Sequence, residues 1–135
     1  MSNNPLCSYD DVLHDSIHLF VNCKYTKLFW KKFSDVVAKI YNIRFSFNEY
    51  ILINGYDLEV KTMHSLNFRI MYAKYAIYTT FIQAEYRKVM FHDLSMFSIF
   101  KKLIRNRLNV ENSCKDKSLC IFKNTLIQDN LPCFV

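Results

Sequence analysis

Apolar residues recur along this chain every three to four positions, the spacing that lines one face of an α-helix. From Lys24 to Tyr41 they fall at Tyr25, Leu28, Phe29, Phe33, Val36, Val37, Ile40 and Tyr41. Lys24, Lys27, Lys31 and Lys39 fall mostly on the opposite face. Upstream, residues 1–15 carry no period, and Asp15 or Ser16 is placed to cap a short turn over Ile17 to Cys23. Ser46-Phe47-Asn48-Glu49 has capping-box spacing, which predicts a short helix through Ile53, ended by Gly55. A third helix is predicted from about Thr62 to about Gln83. Leu66, Ile70, Ala73, Ile77 and Phe81 form its inner stripe. Phe68, Met71, Tyr75 and Tyr78 widen its apolar surface and predict a central place for it. Residues 86–92 fit either a break or a continuation. Asp93 is placed to cap a fourth helix that buries Leu94, Phe97, Phe100, Leu103, Ile104 and Leu108. Residues 109–116 read as a polar loop. A fifth helix, about Lys117 to Ile127, sets Leu119, Phe122 and Leu126 on one side.

Composition supports that reading. The chain has 135 residues, 51% of them hydrophobic, enough for one domain with a real core. A single Gly and two Pro are too few for the many turns of an all-β sandwich. Twelve Phe and nine Tyr must in large part fill the space between helices. The expected fold is all-α: a single domain of four to five helices behind a short irregular N-terminal segment. Its divisions are a segment over 1–23, a helical domain over 24–127 and a tail over 128–135.

A net charge of +6 favours an acidic partner, with nucleic acid ahead of an anionic membrane surface. A basic domain without such a partner is the open alternative. Five Cys, an odd number, exclude a complete set of internal disulfides. No signal peptide is read in the first 15 residues. An intracellular, reducing compartment is therefore expected, nucleus or cytoplasm. The longest charge-free apolar stretch, Tyr75 to Ala84, falls short of the roughly 20 residues that span a bilayer. No membrane role and no small-molecule substrate are expected.

The candidate chemistry is sparse. His18 and Cys23 form a His-x4-Cys pair, with Cys7 upstream, at spacings that zinc sites use. The same residues also fit a buried thiol and a partly exposed imidazole at a helix start. Lys24, Lys27, Lys31, Lys32 and Arg44 offer one set of phosphate contacts, and Lys101, Lys102, Arg105 and Arg107 a second. Each also suits an ordinary solvated face. Trp30 and the other aromatics suit base stacking, but their helical spacing favours the core. Tyr9-Asp10-Asp11 lacks the surrounding strands and third carboxylate of a polymerase site and reads as chance. There is no Gly-rich phosphate loop, and no catalytic residues are assigned.

Several segments together resemble one family. Cys7-Ser8-Tyr9-Asp10, then Asp15-Ser16-Ile17-His18-Leu19-Phe20-Val21-Asn22-Cys23 and Phe29-Trp30, resemble the zinc-binding tail of non-LTR (LINE-type) retrotransposon reverse transcriptases. In that family a Cys-x2-Cys pair precedes an acidic stretch, His-Leu-Phe-x2-Cys and a helix bearing an aromatic-Trp pair. Leu66 to Tyr78, with its Ala-Lys-x-x-Ile-Tyr core, and the basic helix around Lys101 to Leu108 resemble later parts of the same tails. The resemblance implies a non-catalytic C-terminal fragment that binds RNA or DNA, with Met1 just upstream of the zinc-binding segment. It implies Zn²⁺ held by Cys7, His18 and Cys23. Asp10 stands where the family has its second Cys, and a carboxylate there weakens the site relative to thiolate. The alternatives are a helical protein-interaction module and a non-functional relic, neither with a nucleic-acid role.

Overall fold

The computed structural model describes residues 18–56, 63–87 and 96–128, with the side chains of these other than 18, 63, 84–87, 127 and 128. Among the described residues there are five α-helices, a π-turn, a 3₁₀ turn and no strand. The all-α expectation holds. Cys7 and Asp10, like the caps expected at Asp15, Ser16 and Asp93, lie outside the described residues.

Helix α1 (Lys24–Tyr41) has the predicted boundaries and buries Phe29, Trp30, Phe33 and Val37. Leu28, expected inside, is exposed. It lies four residues after Lys24 and three before Lys31, which places it on the lysine face. Asn42 ends the helix in the left-handed region at φ 57°, which Asn tolerates.

A π-turn, His18–Asn22, leads into α1. Side chains of α1 bind its carbonyls. The Thr26 hydroxyl donates to Leu19 O at 2.7 Å, and the Trp30 indole N–H donates to Phe20 O at 2.7 Å. Leu19 and Cys23 are buried. Turn and helix therefore form one unit, held by two polar bonds away from water and an apolar contact.

Helix α2 (Glu49–Asn54) is capped by Asn48, whose Oδ1 accepts the Ile51 N–H at 2.8 Å. The cap expected at Ser46 is not used; its carbonyl accepts the Tyr56 hydroxyl at 2.7 Å. Gly55 ends the helix at φ 80°, ψ 178°, a backbone region open essentially to Gly. Asn67 then clamps Tyr56. Its Oδ1 accepts the Tyr56 N–H at 2.7 Å, and its Nδ2 donates to Tyr56 O at 2.9 Å.

Helix α3 (Met63–Arg87) runs a turn beyond the predicted end at Gln83. Leu66, Ile70, Ala73 and Ile77 are buried, as expected, and Phe81 is half-buried. Met71, Tyr75 and Tyr78 are exposed instead of widening the core. They lie on the far side of the helix from the inner stripe, and the bundle covers only one side. The Lys74 ammonium donates to Ile53 O at 2.8 Å, tying α3 to α2, and burial pushes Lys74 below its ordinary value.

Helix α4 (Met96–Ser113) extends into the segment read as a loop. Glu111 explains the extension. Its buried carboxylate accepts the Phe122 N–H at 3.1 Å, the Lys123 N–H at 2.8 Å and Arg107 Nε at 2.6 Å. The last turn of α4 thus satisfies amide donors in the first turn of α5 (Ile121–Gln128) that have no partner within that helix. The predicted fifth helix is split. A 3₁₀ turn, Lys117–Leu119, precedes it and leaves Leu119 exposed, while Phe122 and Leu126 are fully buried.

The longest helix, α3, is central. It packs most extensively on α4 and also against α5 and the π-turn, while α1 packs on the π-turn and α4. Aromatic rings fill the α1–α4 seam. Phe33 and Phe100 are 5.5 Å apart, Phe29 and Phe100 6.0 Å, and Trp30 and Phe33 5.1 Å between centroids. These edge-on contacts add to the apolar area they bury. No helix among the described residues is long and apolar enough to cross a membrane.

Candidate nucleic-acid interface

Lysine side chains in α1 line its outer face because the inner face is spent on Phe29, Phe33 and Val37. Lys24, Lys27, Lys31 and Lys32 are all exposed, as are Lys101, Lys102 and Arg105 on α4. The two helices meet at Phe97. Lys32 Nζ lies 4.9 Å from the centroid of its ring, and Lys101 Nζ lies 5.6 Å from it. One aromatic ring therefore sits beside a cation from each helix. Each cation–π contact contributes about 0.5–1 kcal/mol at an exposed site. That is enough to bias the ammonium groups toward the ring without holding them from a stronger anionic partner. Phe97 itself is half-buried, packed 6.2 Å from Phe29 and 5.8 Å from Phe100 between centroids. Lys24 lies 5.3 Å from the ring of Tyr25, at the start of α1.

Two of the expected phosphate contacts have other partners. Arg44 pairs with Asp35 at 3.2 Å in an exposed bridge, the kind worth about 0–1 kcal/mol and readily exchanged. Arg107 is held more firmly. Its hydrogen bond to the buried Glu111 raises its already high pKa further, and Glu111 in turn accepts two N–H groups at the start of α5. A guanidinium so engaged is a structural strut first.

Of the four residues assigned to zinc, the structure places one side chain. Cys23 is a wholly buried thiol immediately before α1, and its carbonyl accepts the Lys27 N–H at 2.8 Å. Cys7, Asp10 and the His18 side chain lie outside the described residues. Among the described residues no three His, Cys, Asp or Glu side chains cluster as metal ligands do. The His-Leu-Phe-x2-Cys run and the following Trp have a structural reason to occur together. Leu19 and Cys23 fill the core beneath the turn, and Trp30 bonds to the Phe20 carbonyl.

The spacing of Phe97 assigns it to the core. Its part in gathering the charges has one visible sign in the sequence, Lys101 four residues on along the same helix face. Lys32 reaches it across the bundle, a contact no local pattern encodes. Cys114 and Cys120 are thiols; Cys120 Sγ donates to Glu111 O at 3.2 Å. No family model matches this chain, and no curated protein or solved structure matches it.

Proposed function

We propose that this chain is a non-catalytic nucleic-acid-binding domain of the kind found at the C-terminal end of LINE-type reverse transcriptases. The observation that supports it most is the meeting of Lys32 and Lys101 at Phe97, which brings a cation from α1 and one from α4 to the same ring. The net charge of +6 supports the same reading. The phosphate backbone would lie across Lys24, Lys27, Lys31, Lys32, Lys101, Lys102 and Arg105, with Arg44 released from Asp35 to join them. A reducing intracellular setting suits the three thiols at Cys23, Cys114 and Cys120. Fluorescence anisotropy with a single-stranded RNA and with duplex DNA, titrated over a range of salt, tests the proposal. Binding that weakens steeply with salt is expected; no binding at low salt overturns it.

Zn²⁺ at Cys7, Asp10, His18 and Cys23 is a separable part of the proposal. Because Cys23 is fully buried, replacing it disturbs packing whether or not metal binds. Cys7→Ser is the cleaner variant. Stoichiometric zinc in the purified protein, lost with Cys7→Ser, is the expected result, and zinc-free wild-type protein purified without chelators would remove this part.

One observation favours the second reading, a helical protein-interaction module. Met71, Tyr75, Tyr78 and Ile82 are exposed at helical spacing along α3. That reading gains if the anisotropy titration is flat.

A further inference from the structure

The outer surface of α3 differs from that of α1 and α4. Among its described side chains the exposed ones are Met71, Tyr75, Tyr78 and Ile82, each 44–56% exposed. None of them is charged. The Arg and Lys of the same stretch are withdrawn. Arg69 is buried, and the half-buried Lys74 donates to Ile53 O at 2.8 Å. The exposed positions of α1 and α4, by contrast, carry Lys or Arg repeatedly. The four α3 residues stand four, three and four apart, the alternation of the a and d positions of a heptad. They form a narrow strip, roughly 16 Å long at 1.5 Å per residue.

We propose that this strip is a weak homodimer contact, in which α3 packs against α3 of a second copy. The charge selects the partner. A net charge of +6 makes two copies repel, so they approach closely only through a face that presents no cation, and this strip is such a face. An acidic protein or an anionic lipid surface, which the net charge attracts, gains nothing from an uncharged strip and is drawn to the lysine-bearing faces instead. Shape gives a second reason. Side chains repeating every 3.5 residues interlock with a copy of themselves at a crossing near +20°. The area sets the strength. Half-exposed side chains of this size offer on the order of 100 Å² each. The strip thus supplies about 400 Å² per copy, against roughly 800 Å² in a standard interface. The dimer is therefore weak, with Kd between about 10 µM and 1 mM. The contact is separate from nucleic-acid binding, which is assigned to α1 and α4.

Sedimentation equilibrium of the full chain, free of nucleic acid, from about 10 µM to 1 mM tests this. A monomer–dimer equilibrium is expected that holds or tightens as salt rises, since salt screens the repulsion between copies. Association through charged groups, including bridging by nucleic acid, has the opposite salt dependence. Tyr75→Lys sets like charges across the seam and should weaken the dimer by about tenfold or more, as should Ile82→Lys. Both positions are exposed, so each variant should melt as the wild type does. If one of the two does not fold, the other decides. Val110→Lys adds the same charge at an exposed position of α4 and should change the dimer constant by less than about threefold. A wild type that stays monomeric at about 1 mM overturns the proposal and leaves the strip to a different partner. A dimer that dissociates as salt rises, a dimer that the α3 substitutions leave intact, or equal weakening by Val110→Lys overturns it as well.

Discussion

Glu111 shows how much one side chain can determine. It sits among polar residues, and composition alone assigns it to a loop. In the structure it is the buried anion on which Arg107 and two backbone amides of α5 converge. Only Arg107, four residues before it, marks it locally; the other two donors it serves lie eleven and twelve residues ahead. Glu111→Ala leaves two backbone amides of α5 without their acceptor, while the part-exposed Arg107 guanidinium turns to water, and an unsatisfied buried donor costs about 1–3 kcal/mol. Urea denaturation should show that loss as a lower midpoint at unchanged slope; a change under about 1 kcal/mol would mean that water replaces the carboxylate. Asp116 is the exposed counterpart. Its carboxylate accepts both the Ser118 hydroxyl and the Ser118 N–H, and these bonds hold it below the ordinary Asp value. A depressed carboxylate stabilises the fold above its unfolded pKa, near 3.9, and loses that contribution as the pH falls through the folded value. The stability gap between wild type and Asp116→Ala should therefore be present at neutral pH and narrow below about pH 4. A gap that widened in acid would contradict the assignment.

Among the elements, legibility follows the number of apolar stripes. Helix α1 has one apolar face and one lysine face, so its period predicts both its boundaries and its orientation, with Leu28 the exception. Helix α3 carries two stripes, Leu66-Ile70-Ala73-Ile77 and Met71-Tyr75-Tyr78-Ile82. Periodicity finds both and cannot tell which one neighbouring helices will cover. The start of α2 is misread by the capping-box spacing, which points to Ser46; the structure caps the helix with Asn48, two residues later. The end of α2 is readable, because the only Gly in the chain stands there. That Gly has a second role, invisible in sequence. A Cβ built at Gly55 would lie 2.9 Å from Asn67 Oδ1, the atom that accepts the Tyr56 N–H. Gly55→Ala must leave the backbone region at φ 80° or strain it, and must also displace the Asn67 clamp. A loss of about 1–3 kcal/mol is expected from the backbone alone. Faster hydrogen exchange at Tyr56 N–H would show that the clamp had opened; unchanged exchange and stability would mean that the α2–α3 junction relaxes at no cost.

At the scale of the molecule, the sequence carries the charge but not its assembly. The α1 lysines and the α4 basic residues stand far apart in the chain, and only packing around Phe29, Phe97 and Phe100 brings Lys32 and Lys101 to one ring. The zinc-like run lies partly outside the described residues, so its legibility rests on Leu19, Cys23 and Trp30, which a packed turn already explains. The face at Phe97 makes a quantitative demand on the proposed function. Each phosphate contact adds about 0.7 to the salt slope for a single strand and about 0.9 for duplex DNA. Lys32→Gln with Lys101→Gln should then lower the slope of log affinity against log salt by roughly 1.4–1.8 and weaken binding most at low salt. Stability should change little, because both cation–π pairs at Phe97 involve exposed lysines. Lys115 is exposed between α4 and the 3₁₀ turn and carries the same charge. Lys115→Gln should leave the slope unchanged if binding is localised at Phe97. Equal reductions per lysine at both places would mean that total charge, and not this face, holds the nucleic acid.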